Sequence, residues 1–439
     1  MQSRPAIAFI TLGCAKNEVD TDKMKARLMA AGYPIVDSSD DPALIIVNTC
    51  SFLASAVEEG IDVIFEALEQ VGQTVQPGKV VVAGCMPSRY GKDLENELAE
   101  VAGFIRADEE DKIAEFVDKI FGFETVSYGN VTLRAQAGPS AYVKISDGCD
   151  RFCSYCMIPY IRGRYHSFEL ADIEREVREL AQSGTKEIVL IGQDTGIWGK
   201  DFSEPLSICD LLKALSSEFK DVWFRLLYIQ PEGITDELLE LMRDTDNVCS
   251  YIDIPLQHVD RDVLKRMNRT GSIDSIKALL THIKDVVSDM TIRTTLMCGF
   301  PGETDEQFET LLEFASEGLF DLAGVFAYSQ EEGSAAYDFD GQLDDDVKLQ
   351  RSQALLDTCD MTGYALNANH IGSTHNVLIE GYEQTDIGLE ALGRWQGQAP
   401  DVDGQVHVAL RDDFTPKIGD IVKVNITGSF CYELEGELV

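Results

Sequence analysis

Three cysteines stand together in the run SDGCDRFCSYCMIPYIRGR: Cys149, Cys153 and Cys156, spaced C-x3-C-x2-C. Thiols grouped this closely read as metal ligands. A zinc knuckle needs a second pair of Cys or His to make four ligands, and ordinary ferredoxin clusters also draw on a fourth Cys. The run holds no fourth Cys or His. Three thiolates suit a [4Fe–4S] cluster that keeps one iron open to a further ligand. The alternative is a structural zinc site completed by a distant residue.

A second set is dispersed. Cys14, Cys50 and Cys85 each close a short apolar run: AIAFITLG (6–13), LIIVNT (44–49) and VVVAG (80–84). The segments between them, NEVDTDKMKARLMAAGY and ASAVEEGIDVIFEALEQV, space apolar residues three and four apart. Strand, helix, strand, helix implies a doubly wound parallel sheet. Ligands collect outside the carboxyl ends of such strands, so three thiols delivered there can converge. A second three-ligated cluster is the functional reading, and ordinary buried cysteines are the bland one.

The elements that must position the first set come next. Residues 123–140 lose periodicity and read as a linker. Strands are then expected at 141–146, 187–192, 222–228, 250–256, 291–298 and 321–328. Helical patterns follow at 169–183, 206–218, 235–243, 260–267 with 273–287, and 304–317. Six strand–helix units suit a parallel, partial (β/α) barrel with its chemistry at the strand carboxyl ends, and the three-cysteine loop follows the first strand. A last helix, 347–367, leads to short alternating runs punctuated by Gly and Asp, which read as a small antiparallel β-barrel.

Bulk properties narrow the function classes. Seventy-six acids against 37 bases give a net charge of −39, which opposes nonspecific contact with nucleic-acid phosphates and favours a basic partner. An acidic surface that is merely soluble accounts for the charge equally well. No apolar run approaches the roughly 18–20 residues that cross a bilayer, and MQSRPAIAFITLGC reads as a first strand, not a signal peptide. Eleven cysteines without an export signal point to a reducing, cytoplasmic setting.

The C-x3-C-x2-C loop, with aromatic Tyr155 before its last cysteine, resembles the radical S-adenosylmethionine superfamily. LGCAKNEVD, VNTCSF, AGCMP, IGQDT (191–195), IPLQH (254–258) and TLMCGFPGET (295–304) extend the likeness over essentially the whole chain, to the methylthiotransferase branch. That resemblance implies a cluster domain over 1–125, a radical core over 136–368 and a TRAM β-barrel over 371–439. One group of the branch modifies a tRNA adenosine; the other modifies an aspartate β-carbon of the small-subunit ribosomal protein at the decoding centre. GCAKN, the loop YSQEEGSAA (328–336) and the 12 acids against four Lys or Arg in 370–439 favour the second group, while GCDRFC does not discriminate.

The resemblance further implies two [4Fe–4S] clusters, on Cys14, Cys50 and Cys85 and on Cys149, Cys153 and Cys156. The latter would reduce bound S-adenosylmethionine to give a 5′-deoxyadenosyl radical that takes a hydrogen from the substrate. The former would deliver sulfur, and a second S-adenosylmethionine the methyl group. Tyr155 would meet the adenine, Gly192, Gln193 and Asp194 the methionyl amino group, and Arg293 its carboxylate. Strand-to-loop turn residues and a salt bridge are the plain alternatives for these last four. An electron donor such as flavodoxin or ferredoxin is implied, with a basic ribosomal protein, free or on the ribosome, as partner. Asn17 and Asp20 read first as helix-start residues and second as seating the cluster, His258 as a hydrogen-bonded core residue, and Cys209, Cys249, Cys298, Cys359 and Cys431 as buried or incidental thiols.

Overall fold

The computed structural model describes residues 4–72, 78–124, 134, 138–385, 388–411 and 414–439. Most of the expected linker at 123–140 lies outside them. Four parallel strands form the first sheet, in the order β1 (Ile7–Thr11), β2 (Leu44–Thr49), β3 (Lys79–Gly84) and β4 (Gly103–Arg106). A single parallel bridge from Ile35 to Ile7 runs along the outer edge of β1. The chain therefore leaves β1 through α1 (Ala15–Ala30) in one direction and returns to β2 on the other side. That reversal is the switch point of a doubly wound sheet, and it puts the loops after β1 and β2 side by side. Helix α2 (Ala54–Gly72) packs Ile64, Ala67 and Val71 on one face of the sheet, and α1 packs Met24 and Leu28 on the other. The four-residue β4 escaped the sequence reading because it is too short to show a period.

The second sheet is six-stranded and all parallel. It contains β5 (Ser140–Lys144), β8 (Glu187–Ile191), β9 (Trp223–Leu226), β10 (Val248–Gln257), β11 (Thr291–Cys298) and β12 (Leu322–Ala327), in the order β12-β11-β10-β9-β8-β5. A short pair, β6 (Ser146–Asp147) and β7 (His166–Ser167), flanks the cysteine loop. Outward residues such as Ile188, Leu190, Phe224, Ile252, Ile292 and Leu296 pack under the surrounding helices in one large core. Thr304 caps the helix Asp305–Ser316 in a capping box with Gln307. Among the described residues no helix is long and apolar enough to cross a membrane.

The opposite face of this sheet is not empty. Val189, Ile191, Trp223, Leu227, Cys249 and Tyr251 pack with Val19 of α1 and with Leu378 and Ala399 of the C-terminal barrel. That barrel closes through β13 (Thr374–Thr385), β14 (Gly388–Trp395), β15 (Val406–Ala409), β16 (Ile421–Phe430) and β17 (Glu433–Leu438). Four of its pairings are antiparallel, but β15 and β17 pair in parallel. The small antiparallel β-barrel expected from the sequence is present, with this one parallel pair: β15 and β17 are separated by β16 in the chain, so no hairpin constrains their direction.

Buried ions tie the barrel to the core. Arg225 donates to Glu187 at 2.8 Å and to the Gln396 carbonyl at 2.7 Å, and Arg394 bridges Glu187, Glu380 and Ser140. Such pairs add little net stability while intact, but removing one partner leaves a desolvated charge costing about 3–5 kcal/mol.

Candidate functional site

The loop between β6 and β7 carries Cys149, Cys153 and Cys156. It is shaped by backbone conformations with positive φ at Gly148 (+71°) and Phe152 (+48°). A Cβ at Gly148 would stand 2.2 Å from the Arg164 carbonyl oxygen, so only glycine lets the two ends of the loop close. The Cys149 N–H then donates to the Gly163 carbonyl at 3.2 Å, and the Ile158 N–H to Cys156 Sγ at 3.4 Å. Burial pushes the Cys156 thiol up to about 12 and raises Cys149 as well.

The second set gathers at the carboxyl ends of β1, β2 and β3. Gly13 (φ +97°) passes so close that a Cβ there would lie 2.6 Å from Cys50 Cβ. Asn17 is fully buried in the middle of the set. Its amide donates to the carbonyls of Leu12 and Thr49, at 2.8 and 3.0 Å, while its Oδ1 accepts from Cys85 Sγ at 3.8 Å. Asn17 thus holds the β1 and β2 ends together; it does not start the helix, whose N-cap is Cys14. Asp20 likewise is buried, in ion pairs with Lys144 and Arg162 of the core. Burial pushes Cys85 up to about 12 and raises Cys50.

The two sets face one another. Cys85, Met157 and Ile161 form one small buried cluster, and Met157 immediately follows Cys156. A clamp fixes this approach: Arg89 forks onto Glu331 at 3.1 Å through both terminal nitrogens and onto the Ser51 carbonyl at 2.6 Å. Glu331 also accepts the Ala54 N–H at 2.8 Å. The first glutamate of the YSQEEGSAA loop is therefore a buried interdomain anchor beside Cys50.

The donor chemistry fits clusters at both places. All six cysteines are free thiols, and each set lacks a fourth thiol. Among the described residues no group of three or more His, Cys, Asp or Glu converges on a point that one metal ion would fill. Loading must expel the thiol protons that burial retains.

The residues expected to meet S-adenosylmethionine divide. Gly192 lies against Ser146, where a Cβ would come within 2.3 Å of the hydroxyl. Gln193 donates to Asp147 at 3.0 Å, and Asp194 accepts from Arg151 at 2.7 Å. Gln193 Oε1 and Asp194 Oδ1 are buried and have no partner, so two acceptors beside the cysteine loop are free for an ammonium group. Tyr155 packs against the large core with Cys153 close by. Arg293 is elsewhere: its guanidinium lies 3.3 Å from both Asp253 and Asp403, at the barrel seam. Of the two readings of Arg293, the structure displays the ion pair, as β11 aims its third residue at the docked barrel.

Arg269 is the cation beside the radical set, with Nη1 3.9 Å from Cys153 Sγ and Nη2 on Gln230 and the Pro255 carbonyl. Nothing in its sequence context announces it. His258 is fully buried, bonded to Glu303 at 3.1 Å and to the Asp260 N–H at 3.0 Å, as a core histidine would be. Gln257, also buried, adopts φ +70° at the end of β10. Cys209, Cys249, Cys298 and Cys359 are buried and Cys431 is half-buried.

Three family models match the chain: the uncharacterized protein family UPF0004 over residues 6–105, the radical SAM superfamily over 143–315 and the TRAM domain over 371–439. Curated relatives described as "Ribosomal protein uS12 methylthiotransferase RimO" align along nearly the whole length. The protein of Geotalea uraniireducens is 40% identical over 99% of this chain and 98% of its own. That of Natranaerobius thermophilus is 39% identical over 98% of both. Among solved structures, the radical S-adenosylmethionine methyltransferase TsrM of Kitasatospora setae matches with a TM-score of 0.56 at 14% identity, covering 74% of this chain and 72% of that one. At that identity the likeness is one of fold.

Proposed function

The chain belongs to the RimO family of ribosomal protein uS12 methylthiotransferases, and from that premise we propose that it adds a methylthio group to the β-carbon of an aspartate of uS12, in the cytoplasm. The observation that carries the reading is the approach of two three-thiol sets across one domain boundary, with Cys85 packed on the residue that follows Cys156. When bound, the clusters and S-adenosylmethionine supply one-electron cleavage, hydrogen abstraction from an unactivated carbon, and sulfur.

This chain's own residues hold and orient those groups. Cys149, Cys153 and Cys156 would hold one cluster and Cys14, Cys50 and Cys85 the other. Gln193 Oε1 and Asp194 Oδ1 would accept from the methionyl ammonium, and Arg269 would stand as the cation near its carboxylate. Arg89 and Glu331 hold the domains in register, and so fix the placement of the two thiol sets that would hold the clusters. The barrel's acids fit a basic protein better than a phosphate backbone, and a reductant of the flavodoxin or ferredoxin class would supply electrons.

Incubating the reconstituted enzyme with uS12 and, in parallel, with bulk tRNA tests the reading. Mass spectrometry is expected to find one methylthio group on a uS12 aspartate and none on tRNA adenosine. The opposite distribution would overturn it.

A further inference from the structure

Between the two thiol sets lies one cation that none of the roles above uses. Arg162 follows Cys156 by six residues and is held in the radical loop at both ends. Its N–H donates to Ile158 at 2.8 Å, and the next carbonyl, that of Gly163, accepts the Cys149 N–H. Its side chain, however, belongs to the other domain. Nη2 donates to Asn17 Oδ1 at 2.6 Å, the same oxygen that lies 3.8 Å from Cys85 Sγ, and Nη1 donates to Asp20 at 2.7 Å. The residue before it, Ile161, packs against Cys85. The guanidinium is buried and is linked to the Cys85 sulfur through the one Asn17 oxygen that both contact.

Its surroundings hold it in place. Lys144 bridges Asp20 and Asp147 at 2.7 Å each, and Asp147 also reaches Arg162 at 3.4 Å, so two cations and two carboxylates form a closed, buried square. Glu110 borders the same group; burial and the nearby Asp20 push its carboxyl well above the usual range. The square is neutral as a whole, but its Arg162 corner is the one turned toward Asn17 and Cys85. A cation held rigidly at a ligand sulfur draws electron density from a cluster, and charge and hydrogen bonds at the sulfurs set cluster potentials.

We infer that Arg162 is a positioning residue for the N-terminal centre: a fixed cation, supplied by the radical core, that reaches the Cys85 sulfur through the shared Asn17 oxygen and raises that cluster's reduction potential. The N-terminal cluster is then fully tuned only when the two domains are docked. The inference rests on the reading that Cys14, Cys50 and Cys85 hold a cluster.

The test uses the full chain carrying Cys149→Ala, Cys153→Ala and Cys156→Ala, which leaves only the N-terminal set. Anaerobic loading with iron and sulfide should give a single cluster; failure to load would reject the reading of those three thiols, and the inference with it. In the loaded chain, the midpoint potential is followed by EPR through a dye-mediated titration. Asp20→Asn removes a negative charge and should raise the potential. Adding Arg162→Gln to it keeps the buried charges balanced and should lower the potential below that of the Asp20→Asn chain. Arg162→Lys, which keeps the charge but loses the forked geometry, should shift the parent potential down by less. An unchanged potential in the loaded Arg162 variants would overturn the inference and leave Arg162 as interdomain packing alone.

Discussion

The two thiol sets reach similar three-ligand arrangements by different physical routes. Cys149, Cys153 and Cys156 lie on one loop, whose shape depends on local backbone conformations at Gly148 and Phe152. Cys14, Cys50 and Cys85 come from three strand ends, and their meeting depends on a whole sheet and its switch point at β1 and β2. A local set is robust to changes elsewhere and fails when the loop fails. A topological set is exposed to any change that shifts one strand relative to another. The comparison can be broken from either side.

The largest effect is expected at the loop. Cys153→Ala leaves two thiolates for a cluster that has only three, so reconstituted protein should lose about half its iron and all 5′-deoxyadenosine formation. Iron analysis and chromatography of the reaction mixture check both, and wild-type cleavage would remove the assignment.

Next comes Gly13→Ala, which removes no ligand. A methyl there meets Cys50 Cβ at 2.6 Å in a backbone region that disfavours side chains, a strain of about 1–3 kcal/mol. The N-terminal cluster should load poorly while the radical cluster loads normally. Gly91→Ala, also at positive φ but facing open space, is the control and should load both. Equal loading of the two variants would show that the topological set tolerates displacement.

A smaller effect is expected from the clamp. Glu331→Ala strands Arg89, at a cost of about 3–5 kcal/mol. Both clusters should still load, the thermal transition should fall, and more 5′-deoxyadenosine should form per methylthio product. An unchanged product ratio would mean that the domains do not need this anchor to stay in register.

The barrel gives the smallest effects. Asp403 is buried, bonded to Tyr251 at 2.7 Å and to the Ala399 N–H at 2.7 Å. Asp403→Lys should therefore destabilise the seam. Glu437→Lys, at an exposed position of β17, should change only the encounter rate with a basic protein, by less than about tenfold and less still at high salt. At the same seam Glu187, buried beyond water's reach, is held at about 2 by Arg394 and Arg225 against an ordinary 4.5. Its folded value is depressed, so the stability it lends is complete above pH 4.5 and is lost as pH falls toward 2. Barrel fluorescence at Trp395 should report that loosening before global unfolding.

The local set was legible from spacing alone, because every determinant lies in one short run. The dispersed set was legible because each thiol closes an apolar strand, and parallel sheets collect strand ends. Asn17 and Asp20 were misread as helix-start residues, since nothing local tells that their partners are Thr49 and Lys144, far away in the chain. For Arg293, likewise, strand periodicity says which face it takes, but not that a barrel fills that face. The clue was present in Glu187, Arg225, Asp253 and Arg293, charged residues at alternate positions of otherwise apolar strands. Charges on a face with no solvent require a polar partner, and the C-terminal barrel is that partner.

The central claim is that the two sets do separate chemistry at one shared site. Cys50→Ala tests it most directly, with 5′-deoxyadenosine and methylthio-uS12 measured in the same reaction. The account expects 5′-deoxyadenosine to form and methylthio product to be absent. Methylthio-uS12 at the wild-type rate would make Cys14, Cys50 and Cys85 structural thiols, and loss of both products would contradict their independence from the radical loop.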